Sequence, residues 1–95
     1  MVIGFGTITL RMPECHSLKE KRKVIKSIIS RSRNNFNASI AEVGLNEVHQ
    51  QGVLGFAFAG NDRQAINSKI DIFFEFVEGL HLADVTETSF DIMNI

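Results

Sequence analysis

Cys15 and His16 stand side by side just ahead of a helix-start pattern, where a thiol pKa can be lowered and a thiolate and imidazole could act together as a nucleophile. Two features weigh against that chemistry. Adjacent residues of an extended segment point apart, and no third group is placed to orient the imidazole, so His16 reads as a loop residue bonding backbone near the helix cap. His49 and His81 are separated from each other and lack the H-x-x-x-H or H-E-x-x-H spacing of a metal site. Glu42, Glu47 and Asp62 form no recognisable acid and base pair, and Gly4-Phe5-Gly6 leads into a strand, not into the helix that a phosphate loop requires. Cys15 is the single cysteine, which excludes an intramolecular disulfide and a thiolate zinc site. The residues therefore point to a non-enzymatic protein with no catalytic residue, metal or cofactor.

What they carry instead is charge. The run HSLKEKRKVIKSIISRSR, residues 16 to 33, holds seven of the ten Lys and Arg, all of them between positions 19 and 33. With Glu20 as the one acid there, that segment carries a net +6, while the other three bases and ten acids carry −7. Lys19, Lys23, Lys26 and Arg33, spaced i, i+4, i+7 and i+14, line one face of a helix, with Arg22 on its border and Lys21 and Arg31 elsewhere. Phosphates neutralised by such a strip release counterions, giving an affinity that falls with salt. The acidic remainder repels a phosphate backbone everywhere else, which favours a structured RNA or an acidic protein surface over long duplex DNA.

The elements that must carry this strip follow from periodicity. Ninety-five residues, 44% hydrophobic and 22% charged, make one soluble domain, residues 1–95, with a single modest core. No segment is apolar enough to span a bilayer and the N-terminus lacks the features of a signal peptide, so a cytoplasmic protein is expected. Residues 2 to 12 alternate as a strand, with Val2, Gly4, Gly6, Ile8, Leu10 and Met12 on one face. Ser17-Leu18-Lys19-Glu20 is a capping box opening a helix from Leu18 to Asn34 or Asn35, whose core stripe is Leu18, Val24, Ile25, Ile28 and Ile29. Residues 38 to 43 form a short strand, 44 to 51 a polar segment, and 53 to 59 an apolar central strand. Asp62 caps a second helix, 63 to about 79, with Ile66, Ile70, Phe73, Phe74 and Val77 inward and Gly79 as its C-cap. A last strand, 82 to 94, places Val85 and Met93 on one face and Thr86, Phe90 and Ile92 on the other.

The order βαββαβ with right-handed crossovers gives a ferredoxin-like α+β fold, a four-stranded antiparallel sheet with two helices on one face. The uncovered face is assigned Phe5, Phe56 and Phe58, with Leu54, and is expected to be the interface of a homodimer. Gly55-Phe56-Ala57-Phe58 is also similar to the centre of the RNP1 strand of RNA-recognition motifs, but the flanking basic and aromatic residues are missing, so packing outweighs base stacking for these rings.

The run His16 to Ser27, then Arg33-Asn34, Phe36-Asn37, Ala41-Glu42-Val43, Leu54-Gly55 and Asn61-Asp62, resembles the YlxP-like family of small bacterial proteins of unknown function, over nearly the whole chain. The resemblance implies a ferredoxin-like fold and a cytoplasmic bacterial protein whose relatives are often encoded beside translation initiation and ribosome maturation genes. Together with the strip it suggests an RNA-binding or ribosome-associated module whose contacts are Lys19, Arg22, Lys23, Lys26 and Arg33. The alternative is a homodimeric scaffold or regulatory protein that meets an acidic protein.

Overall fold

The computed structural model describes residues 1–95. Six elements follow one another: β1 (Val2–Arg11), α1 (Leu18–Asn35), β2 (Ser39–Gly44), β3 (Gln51–Gly60), α2 (Arg63–Gly79) and β4 (Asp84–Asn94). The strands form one antiparallel sheet in the order β2-β3-β1-β4, the ferredoxin-like arrangement. Both helices lie on the same side. Gly4 of β1 faces Ile66 and Ile70 of α2, and Gly52 of β3 faces Lys21 and Ile25 of α1.

Local chemistry sets the helix starts. The Glu20 amide donates to Ser17 Oγ at 3.1 Å, and the Glu20 carboxylate accepts from the His16 amide at 2.9 Å, one residue earlier than the usual reciprocal bond to the N-cap residue. Asp62 caps α2 by accepting from the Gln64 amide. Gly79 is the last helical residue rather than the cap. Leu80 takes the C-cap in a right-handed conformation, and the left-handed turn falls on His81, at φ 54°.

The register of β1 on β3 overturns the assignment of the open face. Gly4 pairs with Phe58 and Gly6 with Phe56, so both rings lie on the sheet face that the helices cover, where Ile66 and Ile70 occupy the space over Gly4 and the β4 backbone crowds Gly6. Leu54, Phe56 and Phe58 are buried, and only Phe5, which pairs with Ala57, remains outside. Phe56 and Phe58 are therefore core residues, neither on the face expected for a dimer interface nor open to a stacked base. They join Phe36, Phe73, Phe74, Phe76 and Phe90 in a connected cluster of edge-to-face rings, with Phe56 and Phe73 centred 5.1 Å apart. Six of the eight phenylalanines of the chain are thus spent on one core, and Phe90, itself exposed, extends the cluster to the surface.

β4 departs from strict alternation as well. Its register on β1 shifts between Thr9 and Leu10, and Thr86 Oγ donates to the Thr9 carbonyl at the irregularity. Val85 consequently packs on the helix side while Met93, opposite Ile3, faces outward; the two do not share a face.

At Gly6 a β-carbon would collide with the Ser89 carbonyl oxygen and the Phe90 Cα, both backbone atoms of the neighbouring strand that cannot swing aside. Gly6→Ala is expected to lower stability by about 1–3 kcal/mol through displacement of β4. A urea titration followed by circular dichroism checks it, and an unchanged midpoint contradicts the close approach.

Candidate nucleic-acid interface

The α1 sequence folds with one basic residue inside and six outside. Its buried stripe is Lys21, Ile25, Ile28 and Ser32, spaced i, i+4, i+7 and i+11, with Val24 and Ile29 half-buried at the margins. Lys21 is fully buried. Its aliphatic stem lies over Gly52, and its ammonium forms an ion pair with Glu42 Oε2 of β2 at 2.9 Å. The same ammonium donates to the Leu45 carbonyl at 2.6 Å and reaches the Asn46 carbonyl at 3.4 Å. Two carbonyls thus accept from the ammonium, and the Glu42 carboxylate lies beside it as an ion pair outside hydrogen-bonding geometry. Leu45 adopts a left-handed conformation, φ 58°, and its carbonyl also accepts from Val48, so one side chain ties α1, β2 and the following turn together.

Sequence reasoning set Lys21 aside as a surface residue off the main basic face. The signal that finds it is its place four residues before Ile25 and seven before Ile28, on the inward stripe.

The remaining charges of α1 divide by direction. Lys19, Arg22, Lys23, Lys26 and Arg33 are all exposed and, at about 100° of turn per residue, fall within one arc of about 100°, with Arg22, Lys26 and Arg33 at the flank beside β2 and Lys19 and Lys23 pointing outward. Arg31 projects from the other flank. The chain forms two ion pairs, Arg11 with Asp84 and Lys21 with Glu42, and none of the five takes part in either. Arg33 donates to the Ile40 carbonyl of β2 at 2.8 Å, which holds its guanidinium over the sheet edge while leaving its charge unneutralised.

Between this arc and β2 runs a groove of about 630 Å³, with Arg22, Lys26 and Arg33 along it and Ile25, Ile29 and Ile40 among its lining. The opposite edge of the molecule has the opposite sign. α2 and β4 carry Asp71, Glu75, Glu78, Asp84, Glu87 and Asp91, all exposed, six of the eleven acids of the chain. Because β2 and β4 are the two edges of the sheet, the domain is electrostatically polar across its width.

No three His, Cys, Asp or Glu side chains gather as a metal-binding group. Cys15 is buried at the corner between β1 and α1, and its thiol is pushed above the ordinary range by that burial, with the Glu20 and Glu14 carboxylates adding to the effect. This is the reverse of the shift that activates a cysteine nucleophile.

Comparison with known proteins decides the family. The family described as "Protein of unknown function (DUF503)" matches residues 3–90, from β1 into β4. The chain belongs to that family. It is 32% identical over 77 residues to "Uncharacterized protein YlxP" of Bacillus subtilis (strain 168), an alignment spanning 81% of this chain and 84% of that protein. The YlxP-like resemblance of the basic run thus extends over most of the domain, and Lys21 is the part of that run this DUF503 chain places inside. Among solved structures, the de novo designed protein Foldit4 superposes with a TM-score of 0.52 at 11% identity, over 99% of this chain and 97% of that one, a likeness of fold. A REP-associated tyrosine transposase bound to a REP hairpin superposes with a TM-score of 0.46 at 13% identity, over 98% of this chain and 56% of that one.

Lys21→Met removes the ammonium, leaving Glu42 without its counter-ion and the Leu45 carbonyl with Val48 as its one donor. A loss of about 3–5 kcal/mol is expected, as for other buried pairs broken on one side. The double variant Lys21→Met/Glu42→Leu should recover most of it. Urea midpoints of the three proteins check this, and a double variant no more stable than the single one contradicts the pairing.

Proposed function

We propose that this protein is a non-enzymatic RNA-binding module that lays α1 against the phosphate backbone of a structured RNA, such as that of a ribosomal particle. One observation carries the reading: Lys19, Arg22, Lys23, Lys26 and Arg33 share an exposed arc and have no acidic partner. Cations used only for solubility are commonly interleaved with acids, whereas α1 has Glu20 alone, and that carboxylate is engaged at the cap. The polarity of the domain supports the same partner. Acidic α2 and β4 are repelled by phosphate, so the molecule approaches with the α1 and β2 side leading. Contacts of this kind hold the backbone and give affinity with little choice of sequence.

A second reading concerns the open sheet face and is compatible with the first. Phe5 is the one phenylalanine outside the aromatic cluster, and Ala41, Gly55, Ala57 and Ala59 around it keep that face flat. A homodimer closed through this face covers Phe5, Val43 and Met93 and leaves α1 free for RNA or, in a scaffold, for an acidic protein.

Two measurements test these readings. In fluorescence-anisotropy titrations with ribosomal RNA fragments, Lys23→Glu/Lys26→Glu should weaken binding and flatten the log–log salt slope by about 1–2 units. Equal binding by both proteins removes the RNA proposal. For the second reading, Phe5→Glu should convert a dimer to monomers in sedimentation velocity. A wild-type protein that is monomeric at high concentration, or a dimer that survives the substitution, rules out pairing through Phe5.

A further inference from the structure

The groove between α1 and β2 has a composition that a purely backbone-binding surface does not need. Arg22, Lys26 and Arg33 stand along it, while the half-buried Ile29, with the buried Ile25 and Ile40 beneath it, gives it an apolar floor. We infer, resting on the RNA reading above, that this groove takes an unpaired nucleotide, so that the preferred ligand is single-stranded or bulged RNA rather than uninterrupted duplex.

Four features of the site lead there. The cations span about 16 Å along the helix from Arg22 to Arg33, at about 1.5 Å per residue, enough for the backbone of several nucleotides. An apolar floor beside them is complementary to a ligand that carries charge on one side and an aromatic face on the other. An unstacked nucleotide has both; an A-form duplex keeps its bases turned inward and presents only phosphate and ribose. Arg22, exposed and without an ion-pair partner, offers a guanidinium plane on which a base can stack. Ser30 and Asn34 add hydrogen-bonding groups at the groove wall.

An extended acidic peptide fits the same charges less well. Such a peptide would gain its affinity by adding a strand to the β2 edge. That edge is six residues long, its register shifts between Glu42 and Gly44, and its Ile40 carbonyl already accepts from Arg33. Each of these devices hinders strand addition. The one carboxylate at the groove, Glu42, is paired with Lys21 and so presents no free anion to repel phosphate.

The test uses the intact protein and three fluorescent probes of matched charge: an unstructured 12-nucleotide RNA, a perfect RNA duplex with the same number of phosphates, and a glutamate-rich peptide. The single strand should bind about tenfold more tightly than the duplex, the gain expected from one stacked base. Ser30→Leu fills the groove from an exposed helix position without changing any charge or adding a ring on which a base could stack, and should abolish that difference while the circular dichroism spectrum is retained. Equal affinity of the wild type for single strand and duplex overturns the inference and leaves the RNA reading standing. Tightest binding to the peptide, or no binding to either RNA, overturns both.

Discussion

A lysine ammonium in the interior constrains how everything around it is arranged. Lys21 sits where a helix of this amphipathic pattern would ordinarily carry an aliphatic side chain, and burying it requires oxygens on every side. Glu42 of β2 and the Leu45 and Asn46 carbonyls supply them, which places the first helix, the edge strand and the turn after it in one relation. Gly52 of the next strand contributes by being small, leaving room for the lysine stem. The interaction is oriented and short, so a slip of β2 by one residue would turn Glu42 to the other face of the sheet and strand the charge.

The basic surface inherits its geometry from that anchor. With Lys21 pointing inward, the helix has no rotational freedom left, and Lys19, Arg22, Lys23, Lys26 and Arg33 must emerge together in one exposed arc, with Arg22, Lys26 and Arg33 beside β2. Arg33 then bonds the Ile40 carbonyl of the strand beneath. Two cations of the same helix thus have structural bonds, one deep and one at the rim, and they bracket a groove whose apolar floor comes from the margin of the core stripe. Charge, groove and edge protection are consequences of a single helix orientation.

The second half of the molecule is organised by shape rather than charge. Gly4 lets Ile66 and Ile70 of α2 approach β1 closely, Gly6 does the same for the backbone of β4, and the aromatic cluster packs between the sheet and the helices. Spending six rings there leaves the other face of the sheet with alanines, Gly55, β-branched residues, Phe5 and Met93, and with Glu87 and Asp91 along β4. A two-layer domain of this length has no third layer to cover that face, so its chemistry is that of a surface able to meet another surface.

The alternation of the strands, the capping box at Ser17 and Glu20, the N-cap at Asp62 and the inward stripe of α2 were legible in the chain because each depends on residues within a few positions of one another. So was the concentration of cations on one helix. Other features were decided only in three dimensions. Which face of β3 carries its phenylalanines depends on pairing with the glycines of β1, some fifty residues away, and alternation alone is symmetric between the two faces. The turn of β4 at Thr86 is a register shift against β1 that composition does not signal. Above all, the burial of Lys21 is invisible to a rule that places lysines outside, because it depends on a carboxylate and two carbonyls that meet it only after the sheet has formed. A local pattern specifies elements and their faces up to a choice of side; long-range pairing makes the choice, since only there do volume and charge find their complements.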